Sequence, residues 1–323
     1  MEDFFAVPEE ELRHTSRALR KIFERRGWRD VKVIRASNIL FFATRPDGKQ
    51  IRFGSCSPSI TSRFATQLAD SKIATYFLLE QEGIPQPETV WLSENKEDWK
   101  GQLEELLAKY PRIVIKPTDG AHGIGVKTDI TTLDEAMDAA RECANNKQRY
   151  YGIIAQEQLD DDVPEIRAIC VDYKMVGAYE RVPAAVTGDG EHSILELIEL
   201  ENRELRSEPY KGKPARIDMT EARHYLDKND IDVMRVPAPG EEVRVVKVCN
   251  VGAGGVMRHV EFTNEQIAQA ERIARLFELP VIGIDFYGDR VIEVNASPAL
   301  YCPTGDEWAD KCVESYVDYL EKM

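Results

Sequence analysis

The apolar positions of this chain change their spacing near residue 70. Between Pro8 and Gly27, Leu12, Leu19, Ile22 and Phe23 recur at helical spacing on one face. Pro8 suits a first helical position, and Glu9, Glu10 and Glu11 follow where the helix dipole favours negative charge. Val31–Arg35 and Ile39–Thr44 are β-rich runs. Arg45-Pro46-Asp47-Gly48 is a turn signal, and Ile51-Arg52-Phe53 reads as the returning strand. Together these predict a small N-terminal unit.

Beyond Asp70, helices and strands alternate. Lys72–Glu82 reads as a helix stopped by Gly83, with Pro85 beyond. The run Ile113-Val114-Ile115 predicts a buried strand that ends at Lys116-Pro117 and a glycine-rich loop. A helix follows over Thr132–Asn146, then a strand over Gly152–Gln158 and a strand pair around Ile166–Val171 and Met175–Arg181. Ser193 with Glu196, and Thr263 with Gln266, are capping-box signals for helices reaching Leu205 and Phe277. Val281–Phe286 and Arg290–Asn295 flank a Gly288-Asp289 turn, and a helix closes the pattern. Hairpins mixed with helices predict α+β subdomains in place of one doubly wound parallel sheet.

A length of 323 residues allows two to three closely packed subdomains. Hydrophobic residues at 43% and charged residues at 31% are soluble globular composition. No apolar run approaches the about 20 residues that span a bilayer. The N-terminus is acidic where a secretory signal would be basic and then apolar, so a cytoplasmic location is expected. Lys plus Arg number 42 against 57 Asp plus Glu, a net charge of −15. Such a surface repels phosphate backbones and anionic membranes, which argues against both as general partners. The composition is open to a homodimer. Cys56, Cys143, Cys170, Cys249, Cys302 and Cys312 show no zinc spacing and read as reduced thiols at apolar positions.

Three stretches carry candidate chemistry. In Lys116-Pro117-Thr118-Asp119-Gly120-Ala121-His122-Gly123-Ile124-Gly125-Val126, a lysine ends a buried strand and glycines follow. Glycines let backbone N–H groups approach phosphate oxygens, and the lysine supplies a charge beside them. A plain hairpin loop would look the same, so the stretch alone leaves both readings open. In the second, Asp285 ends one apolar strand while Glu293 and Asn295 share a face of the next. Two carboxylates and an amide there form a hard, oxygen-rich set suited to Mg²⁺, or else a pair of solvated strand ends; the apolar strands favour the first, because buried acids need partners. The third, Gln156-Glu157-Gln158-Leu159 followed by Glu165-Ile166-Arg167, could frame a nucleobase and ribose or be ordinary surface hydrogen bonding.

In this order the stretches resemble the ATP-grasp superfamily, over roughly Ser57 to Pro303. The likeness is greatest to the ATP-grasp domain of cyanophycin synthetase and of bifunctional glutathione synthetases. Asp119–Val126 resembles their glycine loop. Glu180-Arg181-Val182-Pro183-Ala184 and Gly188-Asp189-Gly190-Glu191-His192-Ser193 resemble their substrate-side segment. Asn250-Val251-Gly252-Ala253-Gly254-Gly255 resembles their N-x-x-x-G-G loop, and Gly288–Asn295 the metal-binding strand.

The resemblance implies an ATP-grasp fold: two α+β subdomains clasping ATP, with a small N-terminal α/β unit. The implied division is 1–69, then 70–160 with the glycine loop, then 161–323 with the metal site. It implies an ADP-forming ligase that activates a carboxylate as an acyl phosphate and captures it with the amine of an amino acid or short peptide. A ligase acting on a protein or peptide terminus is the alternative, and a catalytically silent nucleotide sensor the non-enzymatic one. Lys72 and Lys116 would contact ATP phosphates with Gly120, His122, Gly123 and Gly125. Gln156, Glu157 and Leu159 would read adenine, and Glu165 would hold the ribose. Asp285, Glu293 and Asn295 would hold Mg²⁺. Arg167 and Arg181 would meet the transferred phosphate or the acceptor, and Asn250, Gly254 and Gly255 would line the oxyanion. Arg244 and Lys247 are offset from the family's arginine and receive no role. The Mur-ligase-like module of the cyanophycin enzyme and the γ-glutamylcysteine ligase half of the glutathione enzymes find no counterpart in these residues. The resemblance therefore carries a reaction type and no particular product.

Overall fold

The computed structural model describes residues 7–8, 12–34, 40–54, 56–92, 99–118, 125–145, 152–160, 163–203, 216–247, 254–302 and 308–323. Every strand pairing among them is antiparallel. The first unit is helix α1 (His14–Arg25) on a sheet ordered β1 (Arg29–Val33), β2 (Leu40–Thr44), β3 (Gln50–Gly54), β4 (Ser57–Pro58). Helices α2 (Arg63–Asp70) and α3 (Lys72–Gln81) follow. Ser62 and Ser71 start them by accepting the backbone N–H groups of Ala65 and Ala74.

The central sheet is built from β5 (Thr89–Leu92), β6 (Ile113–Pro117), β7 (Lys127–Ile130) and β8 (Ile153–Glu157), in the order β5-β8-β6-β7. Helices α4 (Trp99–Lys109) and α5 (Leu133–Asn145) cover it with their own apolar cluster, including Leu103, Leu106, Ala136 and Ala140. Next come β9 (Glu165–Val171), β10 (Lys174–Val182), β11 (Ala185–Thr187), α6 (Ile194–Arg203), α7 (Met219–Lys228), β12 (Glu242–Arg244) and β13 (Val256–His259). The chain ends with α8 (Asn264–Leu276), β14 (Val281–Tyr287), β15 (Arg290–Asn295) and α9 (Lys311–Lys322). The large sheet has five strands in the order β13-β10-β9-β14-β15, while β11 and β12 pair apart with α6 and α7.

Both capping boxes form. Thr263 and Gln266 exchange side-chain and backbone bonds at the start of α8. At α6, Ser193 N–H donates to Glu196 Oε2 at 2.8 Å and Glu196 N–H to Ser193 Oγ at 3.3 Å.

Period two divides the large sheet. Ala168, Cys170, Ile282, Ile284, Phe286 and Val294 face α8, α2 and α3. On the opposite face the far end is apolar. There Ile169, Val171, Tyr179 and Val281 join α1, the first sheet and α9 in one core. The near end of that face is polar and carries Glu165, Arg167, Arg181 and Asp285. The C-terminal helix thus packs with the N-terminal unit. Trp28 Nε1 donates to Glu321 at 3.1 Å, and Arg26 meets Asp318 and Glu314 at 2.6 Å each. Cys56, Cys143, Cys170, Cys302 and Cys312 are buried free thiols, as their apolar neighbours in sequence imply, and Cys249 lies outside the described residues. Among the described residues no helix is long and apolar enough to cross a membrane.

Among the described residues the shared core holds an uncompensated polar atom. Tyr316 is fully buried, 5.8 Å from Phe53 in an edge-to-face pair, and its hydroxyl finds no partner among the described residues. Tyr316→Phe removes an unsatisfied donor at constant shape, so it should stabilise the protein by about 1 kcal/mol. A urea unfolding midpoint that rises checks it.

Candidate active site

The polar end is assembled by strand register. Arg181 lies opposite Glu165 across β10–β9, and Arg167 opposite Asp285 across β9–β14. Asp285 lies opposite Glu293 and Gly283 opposite Asn295 across β14–β15. Asp285 is 0% exposed. Arg167 grips it bidentately, Nε to Oδ1 and Nη2 to Oδ2 at 2.6 Å each, and Arg181 Nη2 adds a bond to Oδ2 at 2.7 Å. Arg181 also pairs with Glu165, which accepts the Tyr287 hydroxyl at 3.4 Å. Burial pushes the Asp285 carboxyl up. The charges and hydrogen bonds of Arg167 and Arg181 outweigh it and hold it below the ordinary carboxylate range. The partners of this buried acid are therefore two arginines, where the sequence suggested a metal. The Nε of Arg181 is buried with no partner among the described residues.

A second pair sits farther out. Lys72 Nζ is 3.1 Å from Glu293 Oε1, and the Glu293 side chain is 34% exposed. The backbone of Lys72 donates to Thr118 O at 2.9 Å, which ties the start of α3 to the end of β6. Lys116 donates to the Tyr76 hydroxyl at 3.0 Å, and that hydroxyl donates to Ile292 O at 2.7 Å. Two lysines from different elements thus converge on β15. Asn295, beside Glu293 on the same face, has a buried side-chain nitrogen without a partner among the described residues. Glu293 and Asn295 fit a hard cation that takes its remaining oxygens from water and phosphate, as Mg²⁺ does. Among the described residues no group of three His, Cys, Asp or Glu could hold a metal by itself.

At the end of β8, Gln156 is buried and donates to Thr89 Oγ1 at 2.8 Å. Glu157 pairs with Arg290 at 2.6 Å, joining the central sheet to β15, and Leu159 is half-buried. Gly254 and Gly255 are buried, and Gly254 needs its glycine: φ is +91°, and a Cβ would stand 2.8 Å from Ile217 Cγ1. Gly125 also has a positive φ, +76°. Gly120, His122, Gly123 and Asn250 lie outside the described residues. The Gly188–Ser193 segment is a folded turn. Asp189 Oδ1 accepts the N–H groups of Glu191 and His192 at 2.9 and 2.8 Å, leading into the α6 cap. Tyr76 belongs to no motif, and Arg290 lies in the Gly288–Asn295 stretch without a role of its own there; the place of both in the candidate site comes from the fold.

Residues 69–191 match the model of the RimK-like ATP-grasp domain. The chain is 30% identical over 249 residues to a cyanophycin synthetase of Crocosphaera subtropica, covering 72% of this chain and 28% of that protein. It is 26% identical over 255 residues to the bifunctional glutathione biosynthesis protein of Desulfotalea psychrophila, covering 72% and 31%. The chain spans under a third of the length of these curated relatives. A crystal structure of a bifunctional glutathione synthetase from Pasteurella multocida superposes with a TM-score of 0.67 at 17% identity, over 98% of this chain and 44% of that one. The fold is that of ATP-grasp ligases.

Replacing Asp285 by Ala leaves two half-buried guanidinium groups without their shared acid, a loss of about 3 kcal/mol. Because the folded carboxyl titrates below its unfolded counterpart, its contribution is present above the unfolded value of about 4 and is lost as pH falls toward the lowered folded value. Melting temperatures at pH 7 and pH 3 check this: the wild type should drop more steeply between them than Asp285→Asn.

Proposed function

We propose that this chain, an ATP-grasp protein, is an ATP-dependent carboxylate–amine ligase that extends an amino acid or short peptide and releases ADP and phosphate. The observation that carries the reading is the convergence of Lys72, Lys116 and Glu293 at the junction of the central and five-stranded sheets. Two cations and an acid from separate elements suit a triphosphate and its metal. The relatives, named for cyanophycin and glutathione synthesis, support an amino-acid or peptide substrate.

A carboxylate is a poor electrophile. Transfer of the γ-phosphoryl group converts it to an acyl phosphate, and attack by an amine then expels phosphate and leaves an amide. In this reading Lys72 and Lys116 flank the phosphates, with the Lys72–Glu293 pair opening to admit them. Glu293 and Asn295 would hold Mg²⁺, which when bound neutralises charge on the transferring group. Gln156, Glu157 and Leu159 line the base. Arg167 and Arg181, held in place by Asp285, present guanidinium to the activated carboxylate or the acceptor. Fixing them before substrate arrives removes reorganisation from the chemical step. Gly254 and Gly255 offer backbone N–H groups to the tetrahedral oxyanion. The same reading places the protein in the cytoplasm, where its ATP is, with small molecules as its partners.

Pairwise mixtures of amino acids and dipeptides with Mg·ATP, scored by phosphate release and nucleotide chromatography, should yield ADP and orthophosphate. AMP with pyrophosphate would overturn the acyl-phosphate route. Glu293→Gln should lower turnover by about a hundredfold or more, with an unchanged circular dichroism spectrum.

A further inference from the structure

Asp129, on the edge strand β7, belongs to none of the motifs above. Its φ of +59° is left-handed, a conformation aspartate adopts more readily than most residues. Partners from its own sheet hold it there. Its N–H donates to Gln158 Oε1 at 2.5 Å, Gln158 Nε2 returns a bond to Oδ1 at 2.7 Å, and Thr128 Oγ1 donates to Oδ2 at 2.8 Å. Arg112 Nη1 lies 3.3 Å from Oδ1.

Two more cations arrive from a different part of the fold. Lys247 Nζ, just past β12, is 2.6 Å from Oδ1, and Lys228 Nζ, at the end of α7, is 3.3 Å from Oδ2. The side chain of Asp129 is only 15% exposed. Burial pushes its carboxyl up, but the hydrogen bonds of Lys247, Gln158 and Thr128 and the Lys247 charge outweigh that and hold it well below the ordinary carboxylate range.

These two parts each have their own apolar core. Ile130, next to Asp129, packs with Ile113, Ile115 and α5, whereas α6, α7, β11 and β12 close around Ile198, Leu226 and Val245. At Asp129 the contact between them is ionic: one carboxylate among three cations. Removing its charge would leave Arg112, Lys228 and Lys247 to repel one another across the junction, so the carboxylate decides whether the two parts attract or separate at this point. Lys247 also stands just before the segment that carries Asn250, Gly254 and Gly255, while β7 continues from the glycine-rich stretch. A clamp at Asp129 therefore sets the spacing between the two sides of the proposed ligase site.

We propose that Asp129 is a positioning residue that clamps the α7–β12 unit onto the central sheet through Lys247 and Lys228. This rests on the ligase reading for its catalytic consequence, while the clamp itself is measured without turnover.

Hydrogen exchange on the full chain tests it, with Asp129→Asn and Lys247→Met as variants. In both, amides of α7 should exchange about fivefold faster or more, and those of β14 and β15 should keep their wild-type rates. Combining the two substitutions should add less than about twofold, since each breaks the same junction. A role confined to the β7 backbone would not reach α7. Wild-type α7 exchange in Lys247→Met, which leaves the Asp129 backbone untouched, overturns the clamp. If Asp129→Asn also accelerates β14 and β15, it has lost its fold and Lys247→Met decides. Calorimetry with the ATP analogue AMPPNP and Mg²⁺ should give affinities within about twofold of wild type for both variants, while turnover falls by about tenfold. Equal losses in affinity and turnover would instead place Asp129 in nucleotide binding and overturn the positioning role. Wild-type protein inactive with every amino acid and dipeptide would sink the ligase reading and leave the exchange result standing.

Discussion

Asp285 keeps its charge with none of its surface in water, and the five-stranded sheet is arranged around that demand. An ionised carboxylate removed from solvent costs several kcal/mol unless opposite charge and hydrogen bonds meet both its oxygens. Here Arg167 comes from the neighbouring strand and Arg181 from the strand beyond, so the match holds only with β10, β9 and β14 in their observed register. A one-residue slip of β9 would turn Arg167 toward Ala270 and Ile273 on α8 and expose Ala168 and Cys170 on the polar side. Fold and site thus obey one constraint, because the pairing that neutralises the acid is the pairing that aligns the arginines.

Outward from that pair the balance changes. Both oxygens of Asp285 are met by its arginines, whereas Glu293, one strand over and partly in solvent, is paired with Lys72. The inner group is fixed by register, while the outer one is within reach of solvent. The bonds described between the central sheet and its surroundings are likewise polar: Lys116 to Tyr76, Glu157 to Arg290, and Asp129 to Lys228 and Lys247. Polar junctions between separately cored parts can open to admit a ligand without exposing apolar surface to water.

Much of this was legible in the residues, for reasons that also show where legibility ends. Apolar β-rich runs, with the Gly288-Asp289 turn between the later two, found the strand pairs at 166–181 and 281–295, and side-chain chemistry at residues 193 and 263 found two helix starts. Period two put Glu293 and Asn295 on one face, yet it says nothing of which residue a distant strand sets opposite. The Arg167–Asp285 pair joins positions more than a hundred residues apart. A helix stop at Gly83 bounds α3 but names no neighbour: the sequence division sets α2 with the first unit and α3 with the central region, and both pack against the five-stranded sheet. Tyr76 reads as one more core residue of α3 until its hydroxyl is seen between Lys116 and Ile292. Asp129 sits in Lys127-Thr128-Asp129-Ile130, an edge strand too short and polar for any period to mark. The α4 helix carries Gly101 in its first turn, and α7 has a single leucine amid charged residues, so neither shows a strong stripe.

The joint core of α1, the first sheet and α9 bears on how the chain comes off the ribosome. Arg26 and Trp28 bond to residues nearly 300 positions later, and Phe23, Phe41 and Phe53 are roofed by Tyr316 and Leu320. At synthesis rates of 5–20 residues per second, roughly 15–60 s pass before that roof exists. Until then the earliest sheet presents aromatic surface to its surroundings, a state that invites aggregation or a chaperone's grip. The central sheet between them is closed by α4 and α5 at short range and has no such wait. Translation should therefore complete the central sheet before the α1 unit that precedes it, although that unit's residues are made earlier.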